Sequence, residues 1–290
     1  MILEGKTLAA QIRESLAQRA ECVRQKLGRS ISLAAIGSTE DYGAHVYLQK
    51  EAAAAEKIGV QTQIFEVNNQ TSSADFLARV EQLSAAPAVD AILIPRPLPE
   101  HLAATDYAAR LSAHKDIDGM SADNMGRLFL CKTWAEIESL PGFVPCTALA
   151  VIRLLEYHHV PLEGAAITVI GRSSTVGRPL AHLLTCKNAT VTLCHTKTDL
   201  PRAVKDADLV CCAAGQPGLL KTDWLKPGAT VIDISTNWYN NHLCGDANAE
   251  ELSQKGISYS PVPGGVGPVT LALLLENLVL SGERKNKENV

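Results

Sequence analysis

The stretch AITVIGRSSTVG, residues 166–177, decides the fold class of this chain. Its first half is a short apolar run, typical of a strand buried on both faces of a parallel sheet. Its second half, rich in glycine and hydroxyl side chains, opens a helical pattern, and the free N–H groups at a helix N-terminus attract anions. The segment predicts a phosphate-binding turn, but its spacing is not G-x-G-x-x-G, and a simple turn with a serine cap explains these residues equally well.

Apolar runs of the same kind alternate with helical patterns along the whole chain. In the second half the predicted strands are Ile167–Ile170, Thr190–Cys194, Leu209–Ala213 and Thr230–Ile234. In the first half, helices at 7–26, 43–58 and 73–84 alternate with strands at 31–36, 61–67 and 91–94. This alternation predicts an α/β fold with two domains and a boundary near residues 141–145.

Composition excludes several classes of protein. The 290 residues are 46% hydrophobic and 20% charged, with mean hydropathy +0.04 and a net charge of −4, so disordered and fibrous classes are excluded. No basic field is present to bind nucleic acid or an anionic membrane, and no apolar run approaches the roughly 18 residues of a membrane span. The start of the chain does not resemble a leader, so a cytoplasmic protein is expected. Eight scattered cysteines without a C-x-x-C pair indicate reduced thiols and no metal site.

The residues that follow the predicted strand Thr190–Cys194 indicate which dinucleotide binds. In an NAD-binding unit an acidic residue roughly 20 positions after the glycine turn takes the ribose 2′-hydroxyl, but here the strand ends in His195-Thr196-Lys197-Thr198. Lys197 and the two hydroxyls, together with Arg172, suit a 2′-phosphate, which predicts NADP. The alternative for Lys197 is a solvated loop lysine.

The glycine turn at 171–177 is one of five motifs along the chain, and the other four are KDIDG at 115–119, NMGRL at 124–128, PCT at 145–147 and PVPGGVGPVT at 261–270. Together they resemble the FolD family of methylenetetrahydrofolate dehydrogenase/cyclohydrolases from residue 1 to about 282. The resemblance implies a folate-binding domain over 1–141, completed by a C-terminal helix at 268–282, and a Rossmann-type NAD(P)-binding domain over 142–267. It also implies a cleft between the domains and a homodimer. The polar tail 283–290 is expected to fray.

The resemblance also implies which residues form the site. Tyr47, Lys50, Glu51 and Asp118 occupy or adjoin catalytic positions, and Tyr47, Pro95, Asp118, Pro263, Gly264 and Gly265 are expected to contact the tetrahydrofolate one-carbon substrate. The expected NADP contacts are Gly171, Arg172, Ser173, Thr175, Val176, Thr196, Lys197 and Thr236.

Two of the departures from the family pattern fall at positions with catalytic roles in the family. The family's Tyr-x-x-x-Lys motif supplies a catalytic lysine, but Tyr47 is followed four residues later by Glu51. Lys50 lies one residue early, about 100° around the helix, where a solvated lysine is the simpler interpretation. The glutamine that assists the family lysine is replaced by Pro95, which has no polar side chain, and Arg96 would point to the opposite face.

Three functions remain open at this point. The first is an NADP-dependent dehydrogenase with weak or absent cyclohydrolase activity. The second is the full bifunctional enzyme, with Lys50 and Arg96 compensating. The third is a non-catalytic paralogue that binds a folate-like ligand or a protein partner.

Overall fold

The computed structural model describes residues 1–239 and 242–288, without the side chains of Tyr42, Tyr47 and 286–288. The chain divides into two compact units. The five-stranded unit contains Met1–Gln11, Arg127–Leu140 and Pro145–Leu271, and the three-stranded unit contains the remainder. The predicted two-domain α/β fold is therefore confirmed, whereas the boundaries predicted from the sequence stay a prediction.

The three-stranded unit is a parallel sheet in the order β2-β1-β3, formed by β1 (Ser32–Ser38), β2 (Gln61–Val67) and β3 (Ala91–Leu93). The middle strand β1 pairs Ala34 with Gln63 on one side and Ile92 on the other. One layer of core packs Phe76, Val80 and Leu102 against this sheet. The helices wholly inside this unit are α2 (Leu16–Leu27), α3 (Tyr42–Glu56), α4 (Ser73–Ala85), α5 (Glu100–Ala103) and α6 (Tyr107–Arg110).

The five-stranded unit is a parallel sheet in the order β10-β7-β6-β4-β5. Its strands are β4 (Ala166–Ile170), β5 (Thr190–Cys194), β6 (Leu209–Cys212), β7 (Thr230–Asp233) and β10 (Ser258–Tyr259). An antiparallel hairpin, β8 (Asn237–Tyr239) with β9 (His242–Cys244), follows β7. The helices wholly inside the five-stranded unit are α8 (Trp134–Glu138), α9 (Cys146–Tyr157), α10 (Gly177–Cys186), α11 (Leu200–Val204) and α12 (Ala249–Gln254), with a 3-10 turn at Thr222–Trp224.

Three helices cross the division between the units: α1 (Lys6–Arg13), α7 (Ala122–Leu130) and α13 (Val266–Glu288). The single helix predicted at 7–26 is broken before Leu16, so that prediction is wrong. The tail predicted to fray, residues 283–290, is helical to Glu288, and its last two residues lie outside the described part of the chain. The tail is held because Arg284 donates to the Gly142 carbonyl at 3.4 Å and Lys285 pairs with Asp90 at 2.8 Å.

The long helix α13 bears on the expectation that the chain has no membrane span. Among the described residues, Val266–Lys285 is long and apolar enough to cross a membrane, but 61% of its most apolar stretch is buried within the protein. Such burial is ordinary for a core helix.

Candidate active site

Glu51 lies in the third turn of α3, the helix that follows β1. Asp41 caps the start of this helix by accepting a hydrogen bond from the Ala44 N–H at 2.7 Å. Glu51 is only 6% exposed, whereas its neighbour Lys50 is exposed. The 100° step between adjacent helical residues therefore turns the carboxyl inward and the ammonium outward. Tyr47 lies on the same helix, but its side chain is outside the described residues.

The buried carboxyl of Glu51 is in an environment that disfavours its charge. Its Oε2 atom is buried and has no hydrogen-bond partner among the described atoms. Burial, and secondarily the negative charge of Asp118, raise the pKa of Glu51 to about 8. Glu51 is therefore mainly neutral at pH 7, and the site contains a carboxylic acid rather than an ammonium at this position.

Asp118 is placed by a turn that runs beside β3. The Ile92 N–H donates to the Lys115 carbonyl at 2.6 Å, and the Ile117 N–H donates back to the Ile92 carbonyl at 3.3 Å. The buried Asp116 carboxylate fixes the turn by accepting from the Ser121 N–H at 2.6 Å and from Asn124 Nδ2 at 2.9 Å. Burial raises the pKa of Asp116 although these donors oppose the shift. Asp116 thus holds the turn, and Asp118 is only partly buried.

Pro95 follows β3 at the same carboxyl edge of the sheet. The next residue, Arg96, donates from Nη2 to the Tyr107 hydroxyl at 2.6 Å, and its guanidinium lies 5.5 Å from the centroid of that ring. Burial raises the pKa of the Tyr107 phenol. Arg96 is thus bound to Tyr107, and Pro95 contributes no polar side chain.

The glycine turn predicted to bind phosphate lies at the carboxyl end of β4, in the other unit. A Cβ at Gly171 would lie 2.3 Å from the Ala213 carbonyl oxygen, and one at Gly177 would lie 1.9 Å from that of Gly171. Ser173 Oγ accepts hydrogen bonds from the Val176 N–H at 3.1 Å and the Gly177 N–H at 3.3 Å. Close backbone packing explains both glycines, and Ser173 holds the backbone that leads into α10.

This turn lies where the strand order reverses. The chain passes from β4 outward to β5 and then back across β4 to β6, and in open parallel sheets ligands bind outside the carboxyl ends of strands at such a point. Ile170 is paired with Cys194, so the loops containing Arg172 and Lys197 leave neighbouring strands. Arg172, Thr196 and Lys197 are exposed, and Thr175 and Val176 are partly buried. Thr236 is exposed after β7, two strands away from β4.

The predicted folate residues 263–265 form a tight turn that leads into α13. The Gly265 N–H donates to the Pro261 carbonyl at 2.8 Å, and Gly264 has φ +115°, a conformation that favours glycine. Pro263 is exposed in this turn. These three residues belong to the five-stranded unit, whereas Glu51, Pro95 and Asp118 belong to the three-stranded unit.

Sequence reasoning missed another buried acid, Asp246. Its carboxylate accepts from the N–H groups of Ala214, Gly215 and Gln216 at 2.8, 3.1 and 2.7 Å. It therefore fixes the loop after β6, against which the Gly171 turn packs. No spacing in the sequence indicates this role, because the acid reaches the loop from about 30 residues away. Tyr107 was missed for the same reason.

Comparisons with known proteins identify the family. Residues 3–118 match the tetrahydrofolate dehydrogenase/cyclohydrolase catalytic domain, and residues 145–286 match the NAD(P)-binding domain of the same family. The chain belongs to the FolD family. The bifunctional protein FolD of Elusimicrobium minutum is 49% identical over 287 residues, which cover 98% of this chain and 100% of that protein.

Solved FolD structures share the fold. The bifunctional FolD enzyme of Campylobacter jejuni is 36% identical, with a TM-score of 0.89 over 98% of this chain and 99% of that one. The FolD of Trypanosoma brucei, complexed with NADP cofactor and inhibitor, is 30% identical, with a TM-score of 0.87 over 98% and 97% of the two chains. The family inferred from the motifs is confirmed, as are its enzyme class and an NAD(P)-binding domain.

Proposed function

We propose that this FolD protein oxidises 5,10-methylenetetrahydrofolate to 5,10-methenyltetrahydrofolate with NADP, and that its cyclohydrolase step is weak or lost. The observation that carries this proposal is the buried carboxyl of Glu51 at the position where the family has its lysine.

Hydride transfer depends mainly on positioning. NADP, when bound, accepts the hydride, and the chain's task is to orient the two ligands. Gly171, Arg172, Ser173, Thr175, Val176, Thr196, Lys197 and Thr236 are proposed to hold NADP. The basic residues Arg172 and Lys197 favour NADP over NAD because both are cations suited to a 2′-phosphate. On the folate side, Asp118 can accept two hydrogen bonds from the guanidine-like edge of the pterin. Tyr47, Pro95 and the turn at 263–265 complete the proposed folate contacts.

Hydrolysis of the methenyl group needs a group that manages the proton of the attacking water. Three observations weaken this step. Glu51 is a largely neutral acid at pH 7, Lys50 is exposed, and Arg96 is bound to Tyr107. The chain thus retains polar groups for positioning and lacks the basic group at the reacting position.

A paired assay tests the proposal. NADPH formation from 5,10-methylenetetrahydrofolate and decay of added 5,10-methenyltetrahydrofolate are followed with the same preparation. We expect NADPH formation and a methenyl decay close to that without protein. Rapid decay abolished by Lys50→Ala would identify the bifunctional enzyme instead. Absence of both activities and of folate binding would identify a non-catalytic paralogue.

We also propose that the protein acts in the cytoplasm as a homodimer, without nucleic-acid or membrane partners. The net charge of −4 supports the absence of the last two. We further propose that 1–141 with 268–282 forms the folate-binding domain and 142–267 the NADP-binding domain.

A further inference from the structure

Two carboxyl groups of the three-stranded unit come from different elements, and the charge of one acts on the other. Glu51 comes from α3 and is buried with an unpartnered Oε2, while Asp118 comes from the turn beside β3 and acts electrostatically on Glu51. Two carboxylates that share a desolvated site do not both ionise readily, so near neutral pH the second proton stays until the local charge changes.

The groups around Glu51 offer it little positive charge. On α3 itself, His45 is partly buried, while Lys50 and Glu56 are exposed. The strands that pack against α3 contribute no titratable residue from β1 and only the exposed Glu66 from β2. From the edge near β3, Asp116, Asp118 and Arg96 all act on Tyr107, and Arg96 is hydrogen-bonded to it. Among the described groups, Asp118 is the charge that shifts the pKa of Glu51.

The proposed reaction changes the charge of the bound folate. The one-carbon bridge of the methylene substrate is neutral, and loss of a hydride to NADP leaves a methenyl cation. We propose, on the basis of the proposed function, that Glu51 and Asp118 hold one proton with a neutral folate and release it when the cationic methenyl product is bound. The step breaks the O–H bond of the Glu51 carboxyl and gives the proton to solvent. The hydride, with both electrons of the broken C–H bond, goes to NADP. The release of the proton therefore requires no other reactant.

The carboxyl pair of Glu51 and Asp118 makes the site selective for a cationic folate. With the proton present the pair carries one negative charge, and after its release it carries two beside the product. Below pH 8 Glu51 is protonated in the free protein, so binding of the methenyl cation releases a proton. The affinity for the cation must therefore rise with pH in this range, by up to about tenfold per pH unit. Affinity for the neutral methylene substrate has no such dependence.

Calorimetric titration with 5,10-methenyltetrahydrofolate tests this inference. Titrations at about pH 7 in two buffers of different ionisation enthalpy count the protons released. We expect a release approaching one proton from the native protein and none from Glu51→Gln, whose affinity for the cation falls about tenfold near pH 8. Glu56→Gln, an exposed change on the same helix, is the matched control and is expected to behave as native protein.

The outcomes separate the inference from the proposed function. NADPH formation without proton release overturns the carboxyl pair and leaves the dehydrogenase standing. Equal proton release from native protein and Glu51→Gln also overturns it, because another group then titrates. Failure to form NADPH and to bind the methenyl compound overturns the proposed function and the inference with it. Circular dichroism confirms that Glu51→Gln is folded, and Glu51→Ala is the second variant if it is not.

Discussion

At the residue scale, Glu51 links the pH dependence of stability to the site. Its pKa is about 8 in the folded protein, above the ordinary value of 4.5, so the folded state binds the proton more tightly than the unfolded state. The stabilisation that this proton gives the folded state is fully present below about pH 4.5. It is lost as pH rises to about 8, at up to ~1.4 kcal/mol of unfolding free energy per pH unit.

Glu51→Gln removes this loss because glutamine does not titrate. We expect the variant to gain stability relative to native protein as pH rises from about 5 to about 8, by several kcal/mol in total. Urea unfolding at both pH values measures the difference. A constant difference between the two proteins would show that Glu51 has an ordinary pKa in the folded state.

The same position carries the sharpest prediction about catalysis. Glu51→Lys combined with Pro95→Gln replaces the buried acid by an ammonium and supplies a polar partner for it. Since general acid–base groups contribute about 100-fold to 10,000-fold, we expect methenyl hydrolysis to rise by at least 100-fold. Decay of 5,10-methenyltetrahydrofolate measures it. Glu56→Lys with Pro95→Gln is the control, and an equal rise there would exclude a specific role for position 51.

At the scale of elements, the loops after β4 and β5 are expected to set the choice of dinucleotide. These strands are paired through Ile170 and Cys194, so both loops leave the same edge. Arg172→Ala is expected to weaken NADP binding about tenfold and to leave NAD binding nearly unchanged, because only NADP has the 2′-phosphate. Fluorescence titration with both cofactors measures this. Arg153→Ala, an exposed change on α9, is the control, and equal losses for both cofactors would refute a phosphate contact.

The elements that could be predicted are those whose side chains carry a periodic apolar pattern. Buried strands such as β4 and β6 are continuous apolar runs, so their positions follow from the sequence. The hairpin β8–β9 was missed because its three-residue strands are largely exposed and show no burial pattern. The C-terminal end of α13 was missed because its polar side chains are held by partners distant in sequence, such as Asp90.

The residues of the site also divide into those that the sequence predicts and those that it does not. The register of the motifs alone shows that Glu51 and Pro95 depart from the family. The environment of Glu51 does not, because it depends on Asp118, which lies 67 residues further along the chain and acts only after folding. The contact of Arg96 with Tyr107 likewise arises from the packing of α6 beside β3.

At the scale of the whole molecule, the homodimer stays a prediction. The hairpin exposes Trp238 to 70%, Tyr239 to 54% and Leu243 to 38%, and large exposed apolar side chains are typical of interfaces. We expect Trp238→Lys to convert the dimer to a monomer, because an interface cannot bury an unpaired ammonium without cost. Light scattering after size-exclusion chromatography measures the mass. Lys221→Ala, outside the hairpin, is the control, and a dimeric Trp238→Lys protein would exclude the hairpin as the interface.

The last helix has a consequence for how the chain is made. The three-stranded unit contains residues 12–126, yet its core also needs the part of α13 after Leu271, where Asn277 donates to the Ile117 carbonyl at 2.8 Å and Glu283 pairs with Arg19 at 2.9 Å. A ribosome delivers residue 126 long before residue 288. The nascent chain therefore carries an unfinished three-stranded unit throughout the synthesis of the intervening sheet, and it must avoid aggregation until α13 has been made.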